Sequence, residues 1–176
     1  MKLMRWGLVL LILVVALPAL AATGLRLSFE QLCAGADAIA VVETLSVRSF
    51  ERDGRILTAT TFTVNETLKG ELSPTVEVIQ LGGRTKTLAT RVAGMPTFVP
   101  GEKAVVFLER PNDATHFVIY GMQQGKLVIQ GEQVMPAVVT MHLLGADGSD
   151  VSPFNETAMS LPALRARVIK AKVGEQ

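Results

Sequence analysis

Two histidines, one cysteine and scattered carboxylates are the side chains of this 176-residue chain that could carry acid–base or covalent chemistry. A hydrolytic triad sets a nucleophile against a base, usually on a recognisable turn. No Gly-x-Ser-x-Gly occurs, and His116 and His142 stand alone on or beside expected strands. A structural zinc site needs several Cys and His at short spacing, and a zinc protease needs His-Glu-x-x-His. Neither pattern is present. Asp147-Gly148-Ser149-Asp150 resembles a fragment of a calcium loop but lacks the further carboxylates and the closing bidentate Glu, so turn chemistry accounts for it. Gly82-Gly83-Arg84 could offer backbone N–H groups to an anion, although a glycine pair after a strand reads first as a turn. An enzyme on this chain would have to assemble its site from dispersed residues such as Asp37, Glu102 and His116. No cofactor and no metal ligand set is expected.

Cys33 is the single cysteine, which excludes an intramolecular disulfide. Within Gln31-Leu32-Cys33-Ala34-Gly35 it reads as a small buried hydrophobe on a helix. The segment with most to offer a ligand is the irregular stretch from Arg84 to Pro100, broken by Gly94, Pro96 and Pro100. Long loops on rigid frames often carry binding function. Arg84, Arg91, Met95 and Phe98 are its candidate binding residues, two charges that orient and two apolar anchors. The competing reading is that Val92, Met95 and Phe98 fold back to plug the end of the domain.

The elements that must position this loop are short and mostly extended. Ser28 and Gln31 form a capping box ahead of a helix from Phe29 to about Gly35, with Gly35 as its stop. From Ala38 the hydrophobic period becomes two, and Ile39, Val41, Leu45 and Val47 are expected on one face. Asp53-Gly54 is a favoured hairpin turn, and a threonine-rich return strand follows it through Phe62 and Val64. Thr75–Leu81, Ala104–Leu108, Phe117–Tyr120 and Lys126–Ile129 read as further strands, with one more expected at Val138-Val139-Thr140. At the end, Ser160 caps an amphipathic helix whose apolar face carries Leu161, Leu164, Val168 and Val173. Its arginines and lysines suit a solvated face near a helix C-terminus.

The N-terminus is a different kind of segment. Lys2 and Arg5 precede an unbroken apolar run from Gly7 to Ala16, then Pro18 and the small residues Ala19-Leu20-Ala21. This is the plan of a signal peptide, residues 1–21, removed on export to the periplasm or medium. The run is shorter than the roughly 20 apolar residues that cross a bilayer. Residues 22–176 then form one domain, with no membrane insertion after cleavage. Loss of Lys2 and Arg5 takes the formal charge from +1 to −1, which leaves no electrostatic handle on nucleic acid.

Six or so short strands with helices only at the ends indicate an all-β, mainly antiparallel domain, with an OB-like barrel as the specific form expected and a two-sheet sandwich as the alternative that periodicity does not separate from it. The runs Ala36-Asp37-Ala38-Ile39, Asp53-Gly54-Arg55-Ile56, Leu68-Lys69-Gly70, Leu81-Gly82-Gly83, Gly94-Met95-Pro96-Thr97-Phe98, Pro100-Gly101-Glu102 and Gln124-Gly125-Lys126 resemble those of a group of uncharacterised exported bacterial proteins. That resemblance covers about Leu27 to Ile129 and implies a bacterial source and a small β-barrel. More faintly, the chain is similar to the OB-fold domain of metalloprotease inhibitors and netrins, although Cys33 does not stand where their metal-coordinating cysteine does. Neither resemblance carries an activity or a site residue. The expected function is a non-catalytic exported domain that binds another protein, such as a hydrolase it inhibits or escorts. An enzyme with a dispersed site and a small-ligand carrier using the barrel interior are the alternatives.

Overall fold

The computed structural model describes residues 23–111, 114–137, 141–149 and 157–173. The export segment and the strand expected at 138–140 lie outside them. Strand β1 (Thr23–Leu25) leads to the helix Phe29–Gly35, where the expected capping box is complete. The Gln31 N–H donates to Ser28 Oγ at 3.1 Å and the Ser28 N–H donates to Gln31 Oε1 at 2.8 Å. Gly35 is the last residue of the helix, and the space at its α-carbon is taken by a neighbour. A Cβ there would lie 2.1 Å from the Tyr120 hydroxyl oxygen.

Strands β2 (Ala38–Arg52) and β3 (Arg55–Lys69) form one long antiparallel hairpin. Asp53 and Gly54 turn it with φ of 51° and 71°, the positive pair that matches the natural twist of the arms. Period two does not hold along the whole of β2. The register shifts between Thr44, opposite Phe62, and Ser46, opposite Thr61, so Leu45 is an extra residue. A bulge of this kind exchanges the two faces of the strand beyond it. Thr44, ahead of the bulge, is buried on the Ala40 and Val42 side; Leu45 is 61% exposed, and Val47 faces away from Ile39 and Val41 instead of sharing their side.

The remaining elements are β4 (Thr75–Leu81), the small hairpin β5 (Gly83–Arg84) and β6 (Ala89–Thr90), then β7 (Lys103–Glu109), β8 (Val118–Ile119), β9 (Lys126–Gln130), β10 (Gln133–Pro136), β11 (His142–Leu144), β12 (Met159–Ser160) and the helix Leu161–Val173. The main sheet runs β12-β10-β9-β7-β2-β3-β4, with β8 paired to β7. All its ladders are antiparallel, while β1 pairs with β11 in parallel. The domain is thus mainly antiparallel β with two helices, as expected. No ladder among the described residues closes the sheet into a barrel. A single isolated parallel bridge joins Val78 of β4 to Phe117, with the Phe117 N–H donating to Glu77 O and the Ile79 N–H to Phe117 O.

Two cores lie on opposite faces of the sheet. Phe29, Leu32 and Cys33 from the first helix and Leu164 and Val168 from the last pack on Ile39, Val41, Val105 and Phe107. On the other face Ala40, Val42, Phe62, Val78, Val106 and Phe117 pack together. This dual burial explains why Ala104–Leu108 is apolar throughout, since each face of β7 meets its own core. The last helix is capped by Ser160 Oγ, which accepts the Ala163 N–H at 3.3 Å. Its cations do more than meet solvent. Arg165 makes a bidentate pair with Glu66, and Arg167 pairs with Glu30 at 3.0 Å while lying 4.1 Å from the Phe29 ring centroid. Among the described residues no helix is long and apolar enough to cross a membrane.

Candidate functional site

The bulge at Leu45 creates the floor of a cleft. Beyond it, Val47 stands opposite Thr60 and Ser49 opposite Thr58, and Gln80 of β4 continues the second row. Hydroxyl groups on this floor hold the start of the irregular loop. Ser49 Oγ and Thr58 Oγ1 share a bond of 2.9 Å, Thr58 Oγ1 donates to Gly82 O at 2.7 Å, and Ser49 Oγ accepts the Arg84 N–H at 3.2 Å. Only glycine fits at position 83. Its φ is 128°, and a Cβ would lie 2.2 Å from Thr58 Oγ1. The Gly82 N–H goes to Ile56 O and the Arg84 N–H to Ser49, so these groups serve the turn and are not offered to an anion.

The far end of the loop is pinned by Lys126, a buried cation on β9. Its Nζ lies 2.6 Å from Glu102 Oε1, donates to Thr97 O at 2.5 Å and sits 4.4 Å above the centroid of the Phe98 ring. A buried charge is tolerable only when paired and hydrogen-bonded in this way. Between the pinned ends, Gln80 Nε2 reaches Met95 Sδ at 3.8 Å and Gln123 Nε2 donates to Met95 O at 3.5 Å.

The loop and the β2–β3–β4 face enclose an open cleft of about 670 Å³. Arg84, Arg91, Met95 and Phe98 all line it, so the four residues singled out from the loop do meet at one place. Their roles are not those expected of all four. Phe98 is only 7% exposed and meets the Phe62 ring edge-on at 4.9 Å. It plugs the core beneath the cleft and is not an exposed anchor. Met95 is half-buried, and Arg84 and Arg91 are exposed. The lining has these two arginines, several hydroxyls and amides, and no carboxylate.

Val47, Ser49, Thr58 and Gln80 escape sequence reasoning because alternation assigns Val47 to the wrong face once the bulge is missed. Lys126 escapes because its partner lies 24 positions earlier on another element. A lysine within a short apolar strand is the one signal that could have drawn attention to it.

The dispersed enzyme residues do not gather. Asp37 Oδ2 accepts the Arg110 N–H at 2.7 Å, Glu102 is taken by Lys126, and no hydrogen bond joins either of them to His116. Cys33 is buried in the helix-side core. Asp147 closes a turn by accepting the Ser149 hydroxyl and N–H, bonds that hold its carboxyl below the ordinary value. Among the described residues no group of three or more His, Cys, Asp or Glu could hold a metal ion. No family model, curated protein or solved structure matches the chain, so the family likeness gains no support from these comparisons.

Proposed function

We propose that the protein is a non-catalytic domain, exported from the cytoplasm, that holds a segment of another exported protein in the cleft between the β2–β3–β4 face and the 84–98 loop. The observation that carries this reading is the cleft itself: concave, walled by both apolar and hydrogen-bonding groups, and bordered by two exposed arginines on a loop pinned at both ends. Such a mixture suits recognition, whereas acid–base chemistry would need titratable groups facing one another.

An OB-like frame fits the same reading. The open path β2-β3-β4 on one side and β2-β7-β8 on the other would close into an OB-like ring of five segments through the Val78–Phe117 bridge, a contact of one residue pair. The cleft opens at one end of this frame, where the β3 and β4 face that carries Phe62 and Val78 continues into Thr60, Thr58 and Gln80. The carrier reading loses its interior site, because Phe62, Phe98 and Phe117 fill that space. A small ligand in the cleft is the second reading, favoured by a volume within the range of about 300–1,000 Å³ of small-molecule sites.

A photo-crosslinking side chain at Leu88, exposed beside the cleft, should trap one discrete partner in the native envelope or medium. The same group at Ile169, exposed on the last helix, should not. Arg84→Glu with Arg91→Glu should abolish the Leu88 adduct while the thermal midpoint holds. Identical adducts from both positions would remove the cleft from the function, and a low-mass ligand co-purifying in its place would favour the second reading.

A further inference from the structure

Beyond Glu43, the last residue of β2 paired with β7, the outer edge of β2 meets only Gly101 and Glu102 at Thr44. From Ser46 to Arg52 the strand pairs with β3 alone. The two-residue turn settles which backbone groups are left over. Residues flanking such a turn exchange hydrogen bonds, and every second pair after them does not. With Arg52 opposite Arg55, the N–H and C=O groups of Val47, Ser49 and Glu51 point away from β3. Among the described residues no acceptor takes these three N–H groups.

Exposed edges of this kind are normally short, bulged away or covered, because they template pairing with another chain. This edge runs a full strand length, and apolar Leu45 and Val47 are 61% and 37% exposed along it.

We infer that the β2 edge from Leu45 to Glu51 takes an extended, acidic segment of the partner by strand addition. This rests on the cleft reading and names the chemistry of what the cleft receives. Main-chain bonds would supply affinity and alternate side chains the specificity. An added strand continues the sheet, so its side chains on one face meet Arg84, tied to Ser49 at that edge. On the other face they meet Arg48 and Arg52, whose guanidinium groups lie 5.0 and 5.3 Å from the centroid of the Phe50 ring between them. The Arg48–Arg52 face is therefore cationic, while on the Arg84 face Glu51 is the one carboxylate among residues 45–51 of the edge and the cleft lining adds no other. Acidic side chains are drawn to these arginines and basic ones repelled. A single-stranded nucleic acid fits less well, since it needs aromatic platforms, while Phe98 is buried and Phe50 is covered by its two arginines.

Amide hydrogen exchange at Val47, Ser49 and Glu51 tests this on the purified exported protein. The probes are an end-capped peptide of about nine residues, a typical long strand, alternating Asp and Val, and its Lys–Val counterpart. At about 1 mM the acidic peptide should slow exchange at all three amides roughly tenfold. The basic peptide should not, and Arg48→Glu with Arg84→Glu should cancel the protection. Peptide binding without protection of these amides would overturn strand addition while leaving the cleft reading intact. The absence of any effect from the acidic peptide would also overturn it. Protection that grows with protein concentration alone would assign the edge to a second copy of the chain, and equal protection by oligothymidylate would assign it to nucleic acid. Failure of the cleft reading is seen separately, in the Leu88 crosslink.

Discussion

Phe98 and Met95 stand three residues apart on one loop and are held by different physics. The Phe98 ring is packed between Phe62 and the Lys126 ammonium, below the solvent boundary. Met95 contacts two amide side chains at the cleft wall and remains half open to water. Phe98→Ser should therefore cost about 3–5 kcal/mol, as other large-to-small core changes do. Part of that cost falls on Lys126, which loses its ring contact and keeps only Glu102 and the Thr97 carbonyl. Met95→Ser should stay within about 1 kcal/mol and act on ligand capture instead. Urea denaturation of the two single variants checks this directly. Equal losses of stability would mean that Met95 belongs to the same plug.

At the scale of elements, the last helix is fastened to the domain by its own charges. For Glu30, burial raises the carboxyl pKa, but the backbone hydrogen bond and the Arg167 hydrogen bond and charge outweigh it and leave the value below the ordinary 4.5. A depressed carboxyl stabilises the fold at every pH above its unfolded value, and the contribution is lost as pH falls through the lowered folded value. The thermal midpoint should accordingly drop on acidification below about pH 4.5, and Glu30→Gln should shrink the difference measured between about pH 6 and pH 3. An unchanged difference in the variant would show that other carboxylates govern acid stability. Elements of this kind were legible wherever local chemistry announced them. The Ser28–Gln31 capping box, the Asp53-Gly54 turn and Thr75–Leu81 lie where residue types and period place them. What could not be read were features set by pairing at a distance. Nothing local marks Leu45 as a bulge, β10 contains Pro136, and β1 finds its parallel partner over a hundred residues later. The same division runs through the cleft. Its loop residues stood out by their irregular composition, while its floor depends on the bulge and stayed hidden.

For the molecule as a whole, stability comes from two apolar layers with a sheet between them, and no covalent crosslink assists. The single thiol is in the helix-side core, 1% exposed, so oxidants of an extracytoplasmic compartment would reach it only through unfolding. Such a fold is compatible with export without depending on disulfide chemistry at its destination. The export reading carries a prediction about where the mature chain begins, namely cleavage after Ala21. That cut leaves Ala22 ahead of β1, whose Thr23 pairs with His142 and whose Leu25 pairs with Leu144. Leu25 O further accepts the buried Gln124 amide at 2.9 Å, and the Leu27 N–H donates to the same side chain. A cut several residues later would remove this strand and strand the Gln124 amide in the interior, at a cost of about 1–3 kcal/mol. The exported protein should therefore begin at Ala22. Ala19→Arg with Ala21→Arg should block processing, because the signal peptidase site admits only small side chains at these positions. The unprocessed chain should then stay at the membrane through its apolar run. Intact-mass analysis of both forms decides the matter, and an exported wild-type protein that retains Met1 would overturn the export reading.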